Sequence, residues 1–190
     1  MRISLVPPRS KQGLICVAQG KLMQQSLNHT LDVIEVGISQ FGPALERKIY
    51  VLDRNHDLYV ASANVTKTPN PSGQNSNPLI KIASMVDCAL WHDSTEMLAA
   101  VSDGKIVVWY YPNVVFVDKD ITVNTKEVHD ADGFGKTPRF VSFTGSRITT
   151  RRTDGTLIVT GLSPYPAVLY EHVSQVRYNP SPPLDSANGL

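Results

Sequence analysis

Five aspartates, Asp87, Asp93, Asp103, Asp118 and Asp120, come nearest to a chemical set in this chain, because paired carboxylates can share general acid and base work. Each sits at or beside a predicted turn, where aspartate is favoured for the hydrogen bonds its side chain makes to the local backbone. No nucleophile and base accompany them, so no catalytic residue is assigned and the chain is read as non-enzymatic. The histidines His29, His56, His92, His129 and His172 come no closer than 27 residues to one another and lack the short ligand spacing of a zinc site. They read as surface or turn residues, and no metal or cofactor is expected. Cys16 and Cys88 fit neither a metal spacing nor a disulfide framework, which points to a reducing compartment. Arg147, Arg151 and Arg152 share one predicted hairpin, where a solvated basic face accounts for them better than an RNA site. Trp109, Tyr110, Tyr111 and Pro112 form the remaining cluster, and aromatics are enriched at binding hot spots. In alternating β geometry Trp109 and Tyr111 share one face and Tyr110 points to the other. These four residues are the candidate partner-binding set, weighed against a packed interior on one face.

The elements that position this cluster are short and β-rich. Glu96 to Asp118 runs as apolar strand, Asp103-Gly104 turn, and a second strand over Lys105 to Tyr111, dense in β-branched and aromatic residues. Pro112-Asn113 breaks that strand, and Val114 to Val117 is expected to start another. Upstream, Leu31 to Ser39 alternates, with Ile34, Val36 and Ile38 on its apolar side. Lys48 to Leu52 and Leu58 to Ala61 flank a turn led by Asp53, and Leu79 to Ala83 and Met85 to Trp91 are further strands. Downstream, Ile121 to Pro138 reads as loop, followed by strands over Arg139 to Phe143, Arg147 to Arg152 and Thr156 to Thr160. Ala167 to Val173 suits a strand or the first turns of a helix. Thr66 to Pro78 and the residues after Ser174 are rich in proline and polar residues, too poor in apolar area to offset the entropy of ordering.

Bulk composition narrows the class. With 18 basic and 17 acidic residues among 190, the formal net charge of +1 gives no electrostatic reason to expect nucleic acid or an anionic membrane. No apolar run approaches the ~20 residues of a membrane span, and the first eleven residues lack the apolar core of a signal peptide. A cytosolic, soluble chain without membrane insertion is the expectation.

The Asp-led turns repeat. Asp53, Asp103 and Asp154 stand 50 and 51 residues apart, each between a short apolar strand and one rich in Val, Ile, Leu or aromatics. A recurring all-β unit of this length is what blades of the WD40 and kelch kinds show. A sandwich is the competing all-β architecture, and the near-equal spacing favours blades. The chain is therefore read as all-β, a partial, open WD40-like propeller of about three blades with a disordered C-terminal tail. The expected organisation is a poorly defined segment over 1–30, blades near 31–83, 84–120 and 138–174, and a tail over 175–190. Fewer than four blades leave unpaired strand edges, which invite self-association.

Several stretches then add a resemblance. Arg47-Lys48-Ile49 leading to Asp53-Arg54-Asn55-His56-Asp57-Leu58, Trp109 to Asn113, Val117 to Ile121, Arg151 to Gly155 and Ser163 to Ala167 occur in one order. From about Gly20 to Ser174 the chain resembles the second WD40-type propeller of the eighty-kilodalton family of intraflagellar transport subunits, part of ciliary transport complex B. The resemblance implies a scaffold role in cilium assembly and ciliary transport, other complex B subunits as partners, and a place in the cilium or flagellum, the basal body and the cytoplasm. It also implies truncation at both ends, since the family carries a first propeller before this region and a helical solenoid after it. The rival readings are a propeller hydrolase and a general cytosolic WD40 adaptor.

Overall fold

The computed structural model describes residues 31–43, 46–63, 78–130 and 133–163 in full, and the strands over 2–6, 13–18 and 21–26 by their backbone. The tail over 175–190, the Ala167 to Val173 stretch and all of the Thr66 to Pro78 excursion except Pro78 lie outside the described residues.

Among the described residues, four antiparallel meanders make up the fold. The first comprises β1 (Arg2–Val6), β2 (Gly13–Ala18) and β3 (Lys21–Ser26). The second comprises β4 (Val33–Ile38), β5 (Lys48–Asp53), β6 (Leu58–Ser62) and β7 (Ile80–Ala83). The third comprises β8 (Val86–Trp91), β9 (Leu98–Ser102), β10 (Lys105–Trp109) and β11 (Lys126–Asp130). The fourth comprises β12 (Arg139–Thr144), β13 (Arg147–Arg151) and β14 (Leu157–Gly161). The opening strand of each sheet adjoins that of the next, β1 against β4, β4 against β8 and β8 against β12. That arrangement of first strands around a common axis, with sheets stacked face to face, is a partial propeller.

Turn chemistry sets the hairpins. Asp103 and Gly104 both take positive φ, 50° and 69°, as a two-residue turn between twisted strands requires. The Asp53 carboxylate instead accepts from the backbone N–H groups of Asn55 and Asp57 at 2.9 and 3.0 Å. Asp154 does the same for Thr156 at 2.9 Å.

The interior lies between the sheets. Leu52, Leu58 and Val60 of the second sheet pack on Val86, Trp91, Leu98 and Trp109 of the third. The third sheet's other face packs Val101, Ile106 and Val108 on Phe143 and Ile148 of the fourth. Buried on both faces, the third sheet's β9 is nearly free of polar side chains, and its Ala99 and Ala100 let the neighbouring sheets approach. At ~25 cal/mol per Å² of apolar area, this stacking is the dominant favourable term.

Four local expectations change. Residues 1–30, read as a poorly defined segment, include the three strands β1, β2 and β3 among the described residues. Val114 to Val117 is not a strand: Pro112–Phe116 forms a 3₁₀ turn, with Pro112 at its start where the missing N–H is no loss. Ile121 to Pro138 is not all loop, since α1 (Lys119–Asn124) begins behind Asp118, whose carboxylate accepts from the Asp120 N–H at 2.8 Å. β11 then pairs with β10 from Trp109↔Lys126 to Lys105↔Asp130. Finally, a bulge between Val33 and Glu35 shifts the β4 register. Val33, Val36 and Ile38 therefore share the packed face, and Ile34 is left 48% exposed.

Candidate functional site

The aromatic cluster splits across the structure. Trp109 closes β10 and is 3% exposed, part of the interior between the second and third sheets. Tyr110 is buried on the opposite side, where its hydroxyl donates to Glu127 and lies 3.0 Å from the Ser163 carbonyl. Pro112 is buried at the start of the 3₁₀ turn. Tyr111 alone of the four reaches solvent, at 40% exposure.

Beside Tyr111 lies a surface that the sequence reading missed. The 3₁₀ turn and α1 form a short helical insert on the outer rim, and it leaves Val117 86% exposed, with Ile121 and Val123 also exposed. A small cavity under the insert is floored by Trp109, Val115 and Ile82 and edged by Lys81, Lys119 and Lys126. Lys81 is engaged by Asp57 at 2.6 Å, which holds that carboxyl below the usual range through their hydrogen bond. The Lys48 ammonium stands 5.5 Å from the Phe116 ring centroid on the same rim. Expecting a strand at Val114 to Val117 hid the insert, because its valines look like strand residues until Pro112 and Asp118 are given their capping roles.

A polar network near the axis ties the first strands together. Tyr50 donates to Glu35 Oε1 at 2.7 Å and lies 2.8 Å from the Ala89 carbonyl. Burial first, then the Glu35 charge, push the Tyr50 hydroxyl well above the usual tyrosine range, so it stays a donor. Arg139 of β12 reaches Glu35 Oε2 at 2.8 Å, and Trp91 Nε1 donates to the Gly37 carbonyl at 3.2 Å. One carboxylate thus joins the second and fourth sheets across the third. The Glu35–Arg139 contact spans 104 residues, and no local pattern marks it.

At the outer edge, Glu127 accepts from Tyr110 and from the Ser163 N–H, the latter at 3.2 Å, and His129 Nε2 lies 2.9 Å away. Burial opposes the Glu127 charge, but these hydrogen bonds outweigh it and hold the carboxyl below the usual glutamate range. Burial also pushes the Cys88 thiol up to about 11, which leaves it an unreactive interior residue.

The predicted turn residues are dispersed. Asp93 and Asp103 are exposed in separate turns, Asp87 is half-buried on β8, and Asp118 and Asp120 belong to the first turn of α1. His92, read as a surface or turn residue, is buried at the head of its turn. Its Nδ1 accepts from the Ser94 and Thr95 N–H groups at 3.1 and 3.0 Å, and its Nε2 lies 3.1 Å from the Gly145 carbonyl. The ring also packs edge-on against Phe143 at 4.7 Å, joining the third and fourth sheets. His56 is exposed and meets the Val86 carbonyl through Nδ1 at 2.8 Å. His29 and His172 lie outside the described residues. Among the described residues, no His, Cys, Asp and Glu side chains gather in a group of three or more that could hold a metal ion.

Comparison with known proteins bears on the whole surface. A family model described as the IFT80 second beta-propeller matches residues 13–165. Over 162 residues the chain is 38% identical to the "Intraflagellar transport protein 80 homolog" of Rattus norvegicus and 36% identical to that of Mus musculus. Each alignment takes in 85% of this chain and 19% of the relative, so the chain spans less than a fifth of the relatives' length.

Proposed function

Because the chain belongs to the IFT80 second β-propeller family, we propose that it acts as a non-enzymatic scaffold piece of intraflagellar transport complex B, serving cilium assembly. The observation that carries this reading is the match over residues 13–165, which takes in the three sheets whose side chains are described. The structure supports a binding role because its titratable and aromatic groups are spent on joining sheets, as with Glu35, Tyr50, His92 and Trp109.

The partner surface in this reading is the helical insert. Tyr111 makes the contact together with Val117 and Ile121, while Trp109, Tyr110 and Pro112 hold it from beneath. Other complex B subunits are the partners, and the chain resides at the cilium, the basal body and in the cytoplasm. In this reading the three expected blades correspond to the second, third and fourth sheets, and the first sheet adjoins the second at the same axis. Self-association is a further expectation, because among the described residues β14 pairs with β13 alone and leaves one edge unpaired.

Affinity capture of the tagged chain from ciliated cells tests the role. Complex B subunits should be enriched over a tag-only control, and Tyr111→Ala with Val117→Ser should lower that enrichment while leaving the melting temperature unchanged. Recovery of other cytosolic proteins with no complex B subunit would favour a general adaptor and contradict the proposal.

A further inference from the structure

We propose that a cleft at the β13–β14 turn binds a phosphate monoester carried on an extended peptide. The cleft is lined by Arg139, Arg151, Arg152, Thr137, Thr153 and Asp154. It lies on the fourth sheet, on a different part of the molecule from the helical insert, and the proposal does not rest on the transport reading.

Three observations converge on an anion. The β12–β13 register sets Arg139 directly opposite Arg151, and like charges facing each other across a ladder are unfavourable unless something bridges them. Glu35 engages Arg139 at 2.8 Å, whereas the exposed Arg151 side chain has no partner among the described residues. Arg152 adds a second guanidinium to the lining, with its side chain 37% exposed and its Nε without an acceptor among the described residues. Its Nη1 is 3.7 Å from Asp154 Oδ2, beyond hydrogen-bond reach. The hydroxyls of Thr137 and Thr153 share a hydrogen bond at 3.2 Å at the same cleft, which leaves one of their two protons as a neutral donor.

Phosphate fits this set better than carboxylate. Planar guanidinium forks match phosphate oxygens, and a monoester carries about −1.5 to −2 charge at neutral pH with three acceptor oxygens. Asp154 is the one carboxylate lining the cleft, and its Oδ1 is committed to the Thr156 N–H at 2.9 Å. Arg151 and Arg152 are the contacts the ligand gains.

A peptide carrier is favoured over a membrane. Recognition of anionic lipid surfaces typically takes clusters of about 4–8 basic residues, more than this cleft offers. Apolar side chains lie alongside instead. Leu157 faces Arg151 and Val159 faces Thr149 in the β13–β14 register, and both are exposed. The outer edge of β14, unpaired among the described residues, presents ladder groups to an extended segment, so flanking residues can add to the phosphate contact.

The test uses the full chain at fixed salt and a fluorescein-labelled Ala-Val-phosphoserine-Val-Ala peptide, followed by anisotropy. The phosphorylated peptide should bind at least about tenfold more tightly than its unmodified twin. Arg151→Gln should weaken it by about fivefold or more without moving the melting temperature, and Arg152→Gln should act in the same direction. Lys119→Gln, on the other rim, should leave binding unchanged. Inorganic phosphate should compete only at much higher concentration than the peptide. Equal binding of the two peptides, or indifference to Arg151→Gln, would overturn the site. Phosphate competing as well as the peptide, or binding to phosphoinositide vesicles without peptide binding, would overturn the peptide assignment. Each of these results leaves co-isolation with complex B subunits unaffected, so the two readings fail separately.

Discussion

Gly37→Ala isolates the axial network. A Cβ built on Gly37 falls 2.3, 2.6 and 2.8 Å from the Cε1, Cζ and Oη atoms of Tyr50, closer than real side chains approach. Tyr50 cannot yield easily, since its ring is buried beside Trp91, 6.3 Å between centroids, and its hydroxyl bonds Glu35. Overpacking costs about 1–3 kcal/mol. Losing the hydrogen bond to the Glu35 carboxylate adds about 1.5–3 kcal/mol. Stiffening the unfolded chain returns about 0.4–1 kcal/mol. The expected net loss is about 2–5 kcal/mol. Urea unfolding followed by the fluorescence of Trp91 and Trp109, both buried, reads it directly. Tyr50→Leu in the Gly37→Ala background should cost less than the two single losses added, because the smaller side chain frees the space. A Gly37→Ala loss below about 1 kcal/mol, or strict additivity in the double variant, would refute the close approach of β4 and Tyr50.

Other perturbations read other joints. Trp109→Ala should cost about 3–5 kcal/mol in the same assay if this residue fills the interior between two sheets, and a loss below about 1 kcal/mol would place β10 at an edge. Glu127 titrates below its unfolded value of 4.5, so its stabilising contribution is complete above that pH and is lost as pH falls through the lower folded value. Glu127→Gln should therefore flatten the acid side of the stability profile, and an unchanged profile would remove Glu127 from the edge contact. Cys88, with its thiol pushed up to about 11, should react with a thiol reagent at neutral pH only on unfolding. Rapid labelling of Cys88 in the native chain would show that the third and fourth sheets are not packed on each other.

Strands closed by tight turns were legible from single residues. Asp103-Gly104 and Asp154-Gly155 announce φ values that few other residues adopt, and strands β9, β10, β13 and β14 follow on either side. The alternation of β4 was legible too, but not its bulge, since nothing local distinguishes Ile34 from Val33. β11 was illegible because Lys126–Asp130 contains one large apolar residue, Val128, and becomes a strand only by pairing with β10. The helical insert was misread for the opposite reason. Its β-branched residues carry strand propensity, which local capping at Pro112 and Asp118 overrides. Within the aromatic cluster, nothing in the sequence separated Tyr111 at the surface from Trp109 in the interior. The Glu35–Arg139 link and the burial of His92 exist only once the sheets stack.

The transport role itself is tested most directly by imaging. A fluorescent form of this chain, expressed in a ciliated cell, should give processive tracks in both directions along the axoneme that coincide with a labelled complex B subunit. A signal that only diffuses, or that stays out of cilia while the chain remains folded, would contradict the assignment.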